Sequence, residues 1–220
     1  MSTPTSAPET HPPRFRYFYV VAAALVLLVV FIGFAPSFYL KGHLGPAREL
    51  SLLVRIHGVV MTGWFVLLLV QAVLVRRGRI DAHRRLGYLG GLLAAALAVL
   101  VLLVQFGATR EERARLGTLQ VEGGTIGFML EFLLLVGLAL WWRKRPEVHK
   151  RLMLVATVIL LGAAWGRYPV EFIRHHSELF TKGGLVALVA ADTWSNRRLH
   201  PAYLWSTLGI FAADYGLGLL

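Results

Sequence analysis

Residues 17–40, YFYVVAAALVLLVVFIGFAPSFYL, carry no charge over 24 positions. An α-helix rises about 1.5 Å per residue, so about 20 apolar residues cross a hydrocarbon core of roughly 30 Å. Residues 86–109 repeat the pattern. More apolar runs follow, and they predict an all-α, polytopic transmembrane helix bundle. Spans are expected at about residues 17–40, 51–75, 85–107, 122–142, 151–172, 181–196 and 202–220. The sixth is short, and without it the count is six.

Composition agrees. The chain of 220 residues is 56% hydrophobic and 16% charged, against about 25% charged in an ordinary soluble domain. Residues 1–16, rich in Pro, Ser and Thr, read as a disordered cytoplasmic tail, and 17–220 as a single transmembrane helical domain. The first span is longer than the roughly 7–15 apolar residues of a signal peptide and ends without an Ala-x-Ala cleavage pattern, so it is expected to stay uncleaved. The chain has no Cys. Disulfides, Cys-ligated zinc and Cys-held iron–sulfur clusters are excluded.

The net charge of +11 does not point to nucleic acid, because the basic residues flank span ends. There they set topology and meet anionic lipid head groups. The N-terminal tail and the second, fourth and sixth loops hold 14 Lys and Arg; the opposite side holds 7. The positive-inside rule then places the N-terminus in the cytoplasm and, with seven spans, the C-terminus outside. The expected location is the cytoplasmic membrane.

Polar residues within the spans fall in stripes. At about 100° per residue, His149 and Arg167 share one face of span five. His83 and Gln105, His57 and Gln71, and His200 and Asp214 lie within about 40° of each other on theirs. Unpaired polar groups are costly in lipid, so these faces are expected to turn inward. Arg55, Glu131 and Glu171 join Gln71, Gln105, Arg167 and Asp214 as interior candidates. Glu131 lies near the middle of span four, with Arg55, His57 or Arg167 as its expected partner. Gly87, Gly91 and Ala95, spaced by four, suggest close helix packing. Gly162 and Gly166 lie near the outer half of span five.

Two histidines sit in echoing segments, Asp81-Ala82-His83-Arg84-Arg85-Leu86 and Glu147-Val148-His149-Lys150-Arg151-Leu152, with a weaker echo at Arg198-Leu199-His200-Pro201. On the spans above, His83, His149 and His200 open helices at one depth. Imidazoles on facing helices can hold a metal or haem; the alternative is a cap on each helix start.

The segments His57-Gly58 with Trp64 and Gln71, Gly78-Arg79 through His83-Arg84-Arg85-Leu86-Gly87, His149-Lys150-Arg151-Leu152-Met153 and His200-Pro201-Ala202 span roughly residues 50–205. Together they resemble uncharacterised bacterial multi-pass membrane proteins loosely related to cytochrome b561-like and oxidase-assembly proteins. The resemblance implies b-type haem with His83 and His149 as axial ligands, and His57 and His200 as a second set or relays. Arg84 and Arg151 would neutralise propionates. It also implies electron transfer or respiratory oxidase assembly, with a respiratory-complex partner or a homo-oligomer.

Other readings stay open. The outer polar set suits a small-solute or proton-coupled transporter. A cofactor-free assembly scaffold would use the stripes only for helix contacts. A metal hydrolase would draw on Asp81, His83, His149, His200 and Asp192, but no His-Glu-x-x-His spacing supports it. A retinal Schiff base needs a bundle lysine, and Lys41, Lys144, Lys150 and Lys182 all fall in loops or at span edges.

Overall fold

The computed structural model describes residues 17–45, 49–107 and 122–216. The predicted tail at 1–16, Arg48, the charged run at 110–115 and the last four residues lie outside them. Every regular element among the described residues is a helix.

Helix α1 (Phe18–Phe34) continues into a π-turn at Ala35–Tyr39. Pro36 has no N–H to offer an i→i−4 ladder. The backbone widens there, and the Leu40 amide donates to the Ala35 carbonyl five residues back, at 2.7 Å. Helix α2 (Leu52–Arg76) starts at Ser51, whose hydroxyl accepts from the Val54 amide. It ends at Gly78, the left-handed residue (φ +70°) that a Schellman cap requires. The Arg79 amide donates to the Leu74 carbonyl and the Gly78 amide to that of Val75, at 2.9 and 3.0 Å. The chain thereby reverses into α3 (Ile80–Gly107).

Helices α4 (Glu122–Trp141) and α5 (Pro146–Ile159) form the next hairpin. Two short helices follow, α6 (Gly162–Trp165) and α7 (Glu171–His175). Helices α8 (Ser177–Asn196) and α9 (Pro201–Gly216) complete the bundle. The long helices alternate in direction. One end gathers the starts of α1, α3, α5 and α9 and the ends of α2, α4 and α8; it is termed the histidine end below.

Four stretches are long and apolar enough to cross a membrane: Phe18–Tyr39, Leu52–Arg76, Ile80–Phe106 and Pro146–Trp165. The other three expected spans fall on α4, α8 and α9. In α4 the apolar part, Ile126–Trp141, is shorter. Helix α8 is long enough but carries Glu178, Lys182 and Asp192. Helix α9 has 16 residues.

Span five departs most from expectation. It opens at Pro146, whose fixed φ suits a first helical turn, rather than near residue 151. It stops at Ile159, and tight turns at Leu161 and Ala164 replace the regular ladder. The expected stripe from His149 to Arg167 therefore does not run along one helix. Helix α5 is also the pillar of the bundle. Its residues from Arg151 to Ile159 are buried except Met153, and α4, α8 and α9 pack around it.

The interruption lies where α1 and α8 close on α6. A side-chain carbon on Gly33 would overlap the Ala164 carbonyl, so α1 can cross there only as glycine. Gly33→Ala is expected to cost about 1–3 kcal/mol of stability through this overlap. Thermal unfolding in detergent, followed by tryptophan fluorescence, should show a lowered Tm.

Candidate functional site

Each echoing segment places its histidine as the fourth residue of a helix, His83 in α3 and His149 in α5. Both start earlier than hydropathy suggests, so the imidazoles lie a turn inside rather than at the extreme ends. They meet there. Their ring centroids are 6.2 Å apart and the planes cross at 84°. The His149 Nδ1 is 2.8 Å from the Ala139 carbonyl oxygen of α4. A carbonyl can only accept, so Nδ1 donates here, and a neutral ring then has its lone pair on Nε2. The His83 Nδ1 is buried without a hydrogen-bond partner. Gln71 reaches over from α2, its side-chain amide donating to the His83 carbonyl at 3.2 Å.

The other two histidine candidates lie elsewhere. His57 is at the opposite end of α2, where its charged neighbour is Arg167. His200 precedes α9 and caps it, its Nδ1 accepting from the Ala202 amide at 3.1 Å. Asp81 is exposed and faces Arg84 at 3.9 Å. Among the described residues no group of three His, Asp or Glu could hold a metal ion. The ligand set needed by a metal hydrolase is thus not brought together among them.

A second centre occupies the other side of α5 and was not read from the sequence. Arg151, at the expected start of span five, is 2% exposed, and Asp192 of α8 is 1% exposed. The guanidinium holds one Asp192 oxygen through Nε and Nη2, both at 2.8 Å. Its Nη1 donates to the Glu147 carboxylate at 2.6 Å and to the Glu147 carbonyl at 2.8 Å. Tyr19 of α1 donates to the other Asp192 oxygen at 3.0 Å. The ring of Tyr203, from α9, lies 5.7 Å below the guanidinium. Four helices are tied by one buried ion pair. Arg151 is fully engaged here and is not available for a propionate. The available signal was a lone acid in the apolar run of α8 and tyrosines at the starts of α1 and α9.

The interior candidates divide. Gln105 and Asp214 are buried. Glu131 is half-buried, with Asp214 and Lys182 as its charged neighbours rather than the expected Arg55, His57 or Arg167. Arg167 is half-buried over the Phe34 ring, its Nη1 donating to the Ala163 carbonyl at 2.9 Å. Arg55 and Glu171 are exposed, because each falls in a first helical turn with its side chain directed away from the core.

No protein-family model, curated protein or solved structure matches this chain.

Removing one partner of a buried ion pair strands the other charge and typically costs about 3–5 kcal/mol. Arg151→Met and Asp192→Asn should each lower the unfolding temperature markedly, and the double variant Arg151→Met/Asp192→Leu should recover most of the loss. A denaturation series of the four proteins checks this. Burial, and then the nearby Arg151 guanidinium, push the His200 pKa below its ordinary value. The unfolded chain therefore binds the proton more readily. Stability is full above the ordinary histidine pKa of about 6.5 and is lost as pH falls through the lowered one. His200→Asn keeps a capping acceptor without the titration, so melting curves of this variant between neutral and mildly acid pH should slope less than those of the wild type.

Proposed function

We propose that this is an integral membrane protein that binds b-type haem through His83 and His149 and serves membrane electron transfer or the maturation of a respiratory oxidase. The observation that carries the reading is the meeting of the two imidazoles, supplied by α3 and α5 at one depth. The 6.2 Å between the ring centres would allow a nitrogen of each imidazole to reach one metal ion, since an imidazole–metal bond is about 2 Å. The hydrogen bond from His149 to Ala139 is the outer contact that orients a ligating histidine and fixes its tautomer. Two histidines without a third partner suit a tetrapyrrole, which brings its own equatorial nitrogens, better than a bare ion. When bound, such a haem supplies one-electron chemistry at a potential set by its axial ligands and surroundings. The chain's own contribution is to hold both rings at fixed depth: α4 orients His149, and Gln71 fixes the backbone at His83.

We read α4, α8 and α9 as further crossings beside the four long apolar helices. Their antiparallel alternation around α5 supports seven spans, and the bias of Lys and Arg supports a cytoplasmic histidine end. Anionic lipid head groups are then the natural contacts of Arg76, Arg79, Arg84 and Arg85.

Purified protein loaded with haem should show a Soret band and, after dithionite, a sharpened α-band. His83→Ala or His149→Ala should abolish the low-spin spectrum, whereas His57→Ala should leave it. Absence of any spectral change on adding haem to the folded wild type would overturn the assignment.

A further inference from the structure

An open groove runs along the α2–α3 hairpin. Val59, Val66 and Val70 of α2 form one wall, and Leu86, Leu89 and Leu93 of α3 the other. It encloses about 400 Å³, and every described residue that lines it is apolar. From Val59 to Val70 it extends about 16 Å, close to half of a hydrocarbon core of roughly 30 Å. It is one leaflet long. A side-chain carbon added at Gly63, which also lines the groove, would meet no atom within 4 Å.

The turn at residues 77–79 joins the two walls and closes one end. Residues 76–85 hold five arginines and one acid, Asp81. Arg84 faces that acid, and Arg76 lies over the Tyr17 ring at 4.0 Å. Arg77, Arg79 and Arg85 are exposed and form no ion pair among the described residues. Arg77 follows Val70 by seven residues and Arg79 precedes Leu86 by seven, so both stand about 10 Å beyond the groove. Arg85 adjoins Leu86 and lies one turn before Leu89.

Exposed tryptophans give the depth of this end. Trp141, Trp194 and Trp205, from α4, α8 and α9, are between 72% and 85% exposed. Each lies two residues from a group that contacts His149 or Arg151, namely Ala139, Asp192 and Tyr203. The three rings therefore share the level of those side chains, and exposed tryptophans at one level mark a membrane–water interface. His83 meets His149 at that level. Leu86 is about a turn deeper and Arg79 about a turn further out. The groove thus starts just inside the hydrocarbon, and the arginines stand among the head groups.

We propose that the groove and the three arginines form a binding site for one anionic phospholipid. An acyl chain lies along the groove, and the phosphate meets Arg77, Arg79 and Arg85. Guanidinium groups hold phosphate oxygens through charge-assisted, often bidentate hydrogen bonds. A zwitterionic lipid brings its own cation to the same arginines and is disfavoured. A second copy of the chain also fits less well. Both copies insert the same way up, so a two-fold axis stands along the bilayer normal and sets arginines against arginines. The groove is also only half as long as a crossing helix. The site rests on the reading of α2 and α3 as membrane spans and is independent of haem.

The test is native mass spectrometry of the full-length protein in detergent, offered equal amounts of phosphatidylglycerol and phosphatidylcholine with the same acyl chains. The wild type should retain one phosphatidylglycerol with a preference of about tenfold or more, given three nearby arginines. Arg77→Gln/Arg79→Gln/Arg85→Gln should lose the preference. Arg143→Gln/Lys144→Gln/Arg145→Gln removes the same charge from the α4–α5 turn and should keep it. Gly63→Leu fills the groove and should lower retention, with helix content by circular dichroism unchanged. Equal retention of both lipids by the wild type overturns the proposal. So does a preference that survives the first triple variant or falls equally in the second. Unchanged retention in Gly63→Leu overturns it too, as does a dimer that this substitution abolishes, which would assign the groove to a second copy. Failure of the membrane reading is distinct, since alkaline carbonate would then release the chain from the membrane fraction.

Discussion

The buried pair of Arg151 and Asp192 is the interaction on which the arrangement of helices rests. An apolar bundle has little directional preference, since one leucine face packs nearly as well as another, and in lipid the hydrophobic effect does not draw helices together. A guanidinium and a carboxylate removed from solvent do impose direction. Each must find the other, and the remaining donors and acceptors must be met as well. Glu147, Tyr19 and Tyr203 meet or flank them. The register of α1, α5, α8 and α9 follows from that requirement. Once α5 is fixed, His149 can point only toward α3 and α4.

Helix α5 thus separates two chemistries. Arg151 looks toward α8, and His149, two residues earlier and about 200° around the helix, looks toward α3. On the first side each nitrogen and oxygen of the ion pair is engaged, with only the flanking Tyr203 hydroxyl buried without a partner, which suits a structural clamp. On the second side two imidazoles stand close together with a buried nitrogen left over, which suits a site. The apolar belt between the ends is held by packing instead. There Trp64 donates to Thr157 at 3.2 Å, and its ring meets Phe132 edge-on with centroids 5.0 Å apart. The far end has its own ion pair of Lys182 and Asp214, at 3.3 Å.

Some of this was legible beforehand. The pairing of His83 with His149 was marked by two segments with the same order of acid, histidine, base and arginine. Their depth was misjudged because hydropathy starts a helix where charge stops, whereas Ile80 and Pro146 start theirs a turn or more earlier. The inward faces of Gln105, Asp214 and Glu131 were also legible, since polar groups in long apolar runs have nowhere else to go. Arg151 was not. It sits in a cluster of basic residues and reads as one more of them. Its burial depends on Asp192, 41 positions later, and no local pattern records that distance. Likewise, the pairing of Lys182 with Asp214 joins two separate helices, 32 positions apart in sequence.

Local chemistry therefore determined which segments are helical, their apolar character, the absence of cysteine-based sites, and the identity of the polar residues that must be hidden. These are properties of short windows, governed by the cost of exposing backbone and charge to hydrocarbon. Tertiary structure alone decided which hidden groups meet: His83 with His149, Arg151 with Asp192 and Tyr19, Lys182 with Asp214. Partner choice depends on how helices rotate and cross, and no short window of sequence records that.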